Sequence, residues 1–137
     1  MKFTIPGDPQ GKARGRTFIH SSTGKPTTMT PEKTVLYENL VKMCYQQQCG
    51  TYTEKPIHAV VIIYYSVPKS TPKKNIEPML MGAIKPCKKP DVDNIIKVVF
   101  DALNGIAYKD DTQIFEVHAV KRYGETARVE VELFEID

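Results

Sequence analysis

A chain of 137 residues has room for one compact domain and is short for two. Its 41% hydrophobic and 26% charged residues suit a soluble globular protein, and no apolar run approaches the roughly 20 residues a membrane-spanning helix requires. The net charge of +3 conceals an asymmetry: residues 1–90 hold 14 Lys or Arg against 5 Asp or Glu, and residues 91–137 hold 5 against 11. A basic arm beside an acidic half suits a protein that grips phosphates with one part and gathers carboxylates in another, although solvated charged faces are common.

The opening Met-Lys-Phe-Thr-Ile-Pro lacks the apolar core of a secretory signal, which points to the cytoplasm. Cys44, Cys49 and Cys87 agree with that compartment. They are odd in number and form no CxxC clip, so they read as reduced, largely buried thiols rather than a zinc site or disulfide framework.

In chain order, Lys2 to Ile5 predicts a short strand ended by Pro6, and residues 7–30 predict a basic loop carrying Lys12, Arg14, Arg16 and Lys25. Thr30-Pro31 opens a helix running from Lys33 to about Cys49, with Val35, Leu36, Leu40, Met43 and Cys44 on its apolar face and Gly50 as its stop. Residues 57–67 are β-branched and aromatic at consecutive positions, the pattern of a central strand covered on both faces. Residues 68–90 hold six lysines, five prolines and one acid, and predict an exposed, flexible, positively charged loop with at most a short helical turn near Met79 to Ala83. Such a segment is either a solvated linker or a phosphate-gripping arm.

Val92, Ile95, Ile96, Val99, Phe100 and Leu103 then form one continuous helical stripe, closed by Asn104-Gly105. Two strands follow, about Gln113 to Tyr123 and Ala127 to Phe134, joined through Gly124 and predicted to pair as an antiparallel hairpin. The elements together predict a single α+β domain over residues 1–137, a small mixed β-sheet with two main helices packed on it.

Chemistry is concentrated in Lys88-Lys89-Pro90-Asp91-Val92-Asp93-Asn94, Lys97, Asp101 and Asp110-Asp111. The apolar stripe forces Asp93, Asn94, Lys97 and Asp101 to the polar side of the helix, and Asp93 and Lys97 are neighbours one turn apart. Phosphodiester cleavage needs a hard cation, and magnesium takes carboxylate, phosphate and water oxygens. A nearby lysine can hold the attacking water or stabilise the charged transition state. Spacing alone also allows plainer roles: Asp91 as a helix cap, Asp93–Lys97 as an i, i+4 ion pair, and Asp110-Asp111 as a turn. His20, His58 and His118 are widely spaced and read as structural, and Tyr64, Tyr65 and Tyr108 as core, with Tyr108 the one to test for base stacking.

The run from Lys89 to Lys97, followed by Phe100-Asp101-Ala102-Leu103-Asn104-Gly105 and Asp110-Asp111-Thr112-Gln113-Ile114, resembles the signature of RusA-type Holliday junction resolvases. The likeness extends to Ile5-Pro6-Gly7, the Thr30-Pro31 helix start and the lysine-rich approach to Pro90, and so covers nearly the whole chain. It implies a homodimeric, magnesium-dependent endonuclease (manganese able to substitute) that nicks four-way DNA junctions in pairs during recombination and repair, with no membrane partner. It implies Asp91, Asp93 and Asp111 as metal-binding carboxylates, Lys97 as the catalytic lysine and Asp110 in a supporting role. Asn94 and Asp101 would fix the site and the helix. Arg14, Arg16, Lys73, Lys74, Lys85, Lys88 and Lys89 are the candidate phosphate contacts. The alternatives are a magnesium nuclease for flaps or forks and a junction-binding protein that does not cut.

Overall fold

The computed structural model describes residues 1–13, 16–19, 24–29 and 31–137. The chain order is β1 (Lys2–Pro6), β2 (Arg16–Ile19), β3 (Pro26–Met29), α1 (Glu32–Gln48), β4 (Ile57–Ser66), α2 (Lys73–Leu80), α3 (Val92–Leu103), a single 3₁₀ turn (Asp111–Gln113), β5 (Ile114–Gly124) and β6 (Arg128–Glu135). Four strands form a mixed sheet in the order β1-β6-β4-β5, and β2 and β3 form a separate antiparallel pair. This is the α+β domain expected, with a third, short helix.

The core lies between one sheet face and the two long helices. Ile57, Ala59, Val61, Ile63 and Tyr65 of β4, Val129, Val131 and Leu133 of β6, and Phe3 and Ile5 of β1 are all buried. They meet Tyr37, Val41, Cys44 and Tyr45 of α1 and Ile95, Val98, Val99 and Leu103 of α3. The Phe3 and Tyr45 rings meet edge to face, with centroids 5.2 Å apart.

Several sequence expectations are corrected. β4 is central, but only its alternate residues are buried, and the opposite sheet face is open, with Val120 and Phe134 exposed. The expected β5–β6 hairpin does not form: β4 lies between the two strands, parallel to β5 and antiparallel to β6. The apolar strand β4 takes the centre, so the β5–β6 connection must cross its end. Gly124 permits this, because an added Cβ would stand 2.9 Å from the Tyr64 ring, whose face is already covered by the Arg128 guanidinium at 3.8 Å. Gly124→Val is expected to destabilise the fold by about 1–3 kcal/mol, the usual cost of overpacking, read as a lowered midpoint in urea unfolding.

The buried face of α1 is Thr34, Tyr37, Val41, Cys44 and Tyr45, while Val35, Leu36 and Met43 are exposed. Two amphipathic tyrosines and a threonine share the core-facing side with Val41 and Cys44. Pro31 is the helix N-cap and makes no side-chain cap, and Thr30, expected to cap the helix, lies outside the described residues. Part of the expected basic loop is β2 and β3. Within residues 68–90, α2 is two turns long despite Pro78, with Pro72 at its N-cap and Met79 buried beneath it. Cys87 is exposed, unlike the buried Cys44.

Candidate active site

α3 organises the site. Its wide apolar face is fixed by burial of Ile95, Val98, Val99, Phe100, Ala102 and Leu103, which leaves Asp93 and Lys97 exposed and Asn94 and Asp101 half-buried. Asp91 occupies the N-cap position, yet its carboxylate makes no capping hydrogen bond. Nor do Asp93 and Lys97 form an ion pair among the described residues. The plainer roles open to these three side chains are therefore not taken up, and all three face solvent.

The acidic turn after α3 divides its labour. Asp110 is structural: its side chain accepts from the Thr112 N–H at 3.2 Å, and the Gln113 side chain accepts from the Asp110 N–H in a reciprocal capping box. Those bonds to Thr112 hold the Asp110 carboxyl below its ordinary range. Gln113 also donates to the carbonyls of Thr53 and Lys55, pinning the turn to the chain before β4. The Asp111 side chain takes no part in that capping box. Its N–H donates to Asn104 Oδ1 at 2.9 Å, while its carboxyl is raised by desolvation, by the charges of Asp110 and Asp101, and by a hydrogen bond shared with Asp101.

The turn is thus seated at the C-terminal end of α3, and Asp91 and Asp93 stand at the other end. Eight residues separate Asp93 from Asp101, about 12 Å along a helix axis. Among the described residues no group of three or more His, Cys, Asp or Glu is arranged to hold a metal ion. Carboxylates gather in two places, near each end of one polar helix face, with Lys97 between them in sequence.

The basic approach is also built. The Tyr65 hydroxyl donates to the Pro90 carbonyl at 2.8 Å, and Lys121 Nζ donates to the Lys88 carbonyl at 2.6 Å. The Lys88 and Lys121 ammoniums flank the Tyr65 ring at 5.4 and 5.3 Å. Burial, and then the charge of Asp91, push the Tyr65 hydroxyl up to about 12. A cleft of about 450 Å³ opens between residues 11–13 and Lys89, Pro90, Asp91 and Asn94. A second, of about 320 Å³, lies on the other side of Pro90 beside Lys88 and Tyr65.

Of the other residues singled out by sequence, Lys73 and Lys74 begin α2 and Lys85 follows it, all three exposed. Lys88 and Lys89 border the clefts, Arg16 lies in β2, and Arg14 and His20 lie outside the described residues. His58 and His118 share the open sheet face, their rings 5.5 Å apart, with Glu116 at 3.8 Å from His58. Tyr108 is fully buried and cannot stack on a base. Sequence reading missed the roles of Gly11, Asn104 and Lys121, and treated Lys12 only as part of a basic loop. The signal for Asn104 was its place in the run ending Asn104-Gly105, which read only as a helix stop.

Comparison with known proteins identifies the family. The family model described as Endodeoxyribonuclease RusA matches residues 6–134. The chain is also similar to Uncharacterized protein YqaN of Bacillus subtilis (strain 168), 37% identical over 139 aligned positions that cover 99% of this chain and 96% of that one. A family match over nearly the whole length, on a mixed-sheet α+β domain, places this protein in the RusA family of endodeoxyribonucleases.

Proposed function

We propose that the protein is a magnesium-dependent endodeoxyribonuclease that resolves four-way DNA junctions by paired symmetric nicks in recombination and repair. The observation that carries this reading is the combination of a RusA match with three side chains that have no ion-pair or capping partner among the described residues, Asp91, Asp93 and Lys97, on one helix whose far end seats Asp111.

Water attacks the phosphodiester, leaving a 5′-phosphate and a ligatable 3′-hydroxyl. Lys97, with no carboxylate partner to compete, is placed to stabilise charge developing on the phosphorus oxygens or to hold the attacking water. Asp91, Asp93 and Asp111 are the proposed carboxylates for the cation. They do not form a closed three-carboxylate cage in the chain, and magnesium does not require one: it is commonly held by one or two carboxylates with phosphate and water completing its shell. When bound, the cation supplies charge neutralisation and an activated water. Manganese is expected to substitute.

The strand approaches along the basic side of the clefts, where Lys88 and Lys89 meet phosphates, with Arg14, Arg16, Lys73, Lys74 and Lys85 as further contacts. Two sites are needed for paired cuts, and a homodimer supplies them. Two apolar surfaces are free for a second copy: Val35, Leu36 and Met43 on α1, and Val120 and Phe134 on the open sheet face. No described helix is long and apolar enough to cross a membrane, and we place the enzyme with the DNA in the cytoplasm.

The test is incubation of the protein with a synthetic four-way junction, a fork and a duplex, in magnesium and in EDTA. Paired nicks in the junction alone, with magnesium only, are expected. Equal cutting of all three substrates would remove junction selectivity, and binding without cleavage in magnesium would leave a binding protein.

A further inference from the structure

The segment after β1 lies across the polar face of α3 and is tied there at successive residues. At Gly11 an added Cβ would meet Asn94 Cβ and Pro90 Cβ, both at 3.0 Å. The Lys12 N–H donates to the Asn94 carbonyl at 3.1 Å, and the Ala13 N–H donates to Thr34 Oγ1 of α1 at 3.1 Å. Lys12 itself reaches along α3 to Asp101, with Nζ 2.5 Å from Oδ2. The two side chains are about one-third exposed, at 35% and 33%.

An exposed lysine–carboxylate pair ordinarily contributes little, because two long side chains must be ordered to make it. Here the Lys12 backbone is already fixed on the helix that carries Asp101, so much of that ordering is done. The hydrogen bond to Asp101 holds the Lys12 ammonium above the ordinary lysine range, against desolvation, and the charges of Asp101, Glu38 and Asp111 add to it. Asp101 is tied to Asp111 through Asn104, whose N–H donates to the Asp101 carbonyl at 3.3 Å and whose Oδ1 accepts the Asp111 N–H at 2.9 Å. Without a cation, Asp101, Asp110 and Asp111 would set three negative charges at one helix end whose carbonyls are themselves electronegative.

We propose that Lys12 is a positioning residue of the nuclease site: its ammonium neutralises Asp101 and so keeps the Asp111 carboxylate seated against the end of α3. This rests on the reading above that Asp111 serves cleavage, but the seating itself can be observed without cleavage.

The experiment compares Lys12→Met, Lys12→Arg, Asp101→Asn and the Lys12→Met/Asp101→Asn pair. Amide hydrogen exchange at Asp111 reports the bond to Asn104. Single-turnover cleavage and junction affinity in EDTA report function. Lys12→Met is expected to speed exchange at Asp111 about tenfold, as a locally opened turn would. It should slow cleavage about 10- to 100-fold, the scale of a misplaced catalytic group, with affinity changed by less than about threefold. Lys12→Arg should restore both readouts, and the double variant should match Asp101→Asn alone, since Lys12 acts through Asp101. Unchanged exchange at Asp111 would overturn the proposal, as would losses that multiply in the double variant. A fall in affinity as large as the fall in rate would make Lys12 a DNA contact instead. If the parent chain cuts nothing, the nuclease reading fails while the exchange measurement still decides whether Lys12 seats Asp111.

Discussion

Replacing Lys97 with alanine, or Asp93 with asparagine, is expected to slow junction cleavage by at least about a thousandfold while junction affinity in EDTA stays within about threefold of the parent. Both side chains are exposed and have no ion-pair partner among the described residues, so neither substitution removes a bond seen there. The helix beneath them is held by Ile95, Val98, Val99 and Leu103, which the substitutions leave untouched. Asparagine keeps the shape of aspartate and removes its charge, and alanine removes the ammonium, so the effect should fall on the chemical step. Parallel titrations of cleavage and binding check this. Loss of binding along with cutting would move the two residues from catalysis to DNA grip.

Tyr108→Ala is expected to destabilise the domain by about 3–5 kcal/mol, the range for deleting a buried aromatic ring. That corresponds to a fall on the order of 10 °C in the thermal unfolding midpoint. Tyr108 is fully buried, and its hydroxyl donates to the Phe100 carbonyl at 2.7 Å. The Asn104 N–H, at the helix end, bonds to Asp101 instead of Phe100, so the tyrosine serves a carbonyl at the helix terminus. Desolvation, and then the charges of Asp111, Asp101 and Asp110, push its hydroxyl well above the ordinary tyrosine range, so it stays a neutral donor. Tyr108→Phe keeps the ring and should cost only about 1–2 kcal/mol. A small effect of the alanine variant would mean that the turn and α3 are held together by other contacts.

The sequence made some features legible because one physical effect dominated them. The α3 stripe is apolar at every predicted contact, and its polar face followed by subtraction, so Asp93 and Lys97 were placed correctly on it. β6 alternates cleanly, and Val129, Val131 and Leu133 are buried as the alternation requires. Where effects competed, the reading failed. In α1, Val35 and Leu36 looked like core, but Tyr37 and Tyr45 offered larger apolar bodies and took the interior. In β5 and β6, a short glycine-containing connection suggested a hairpin, while the more apolar β4 claimed the position between them.

The candidate site could be nominated as a set of residues and not as a shape. The resemblance nominated Asp91, Asp93, Lys97 and Asp111, but no local rule fixes where a turn after a helix settles. That was decided by long-range bonds from Gln113 to residues 53 and 55 and by Asn104. Likewise, nothing in the run Gly11-Lys12-Ala13 announces that it will lie on a helix more than 80 positions later in the sequence.

The insertion of β6 between β1 and β4 has a consequence for synthesis. β1 is made before the other strands of the sheet, yet its backbone partner, from Lys2↔Glu132 to Pro6↔Arg128, belongs to the last of them. The sheet cannot close until translation has passed β6, and a product ending before Arg128 leaves β1 severed from β4. The platform beneath α3 is therefore completed only once β6 has been made.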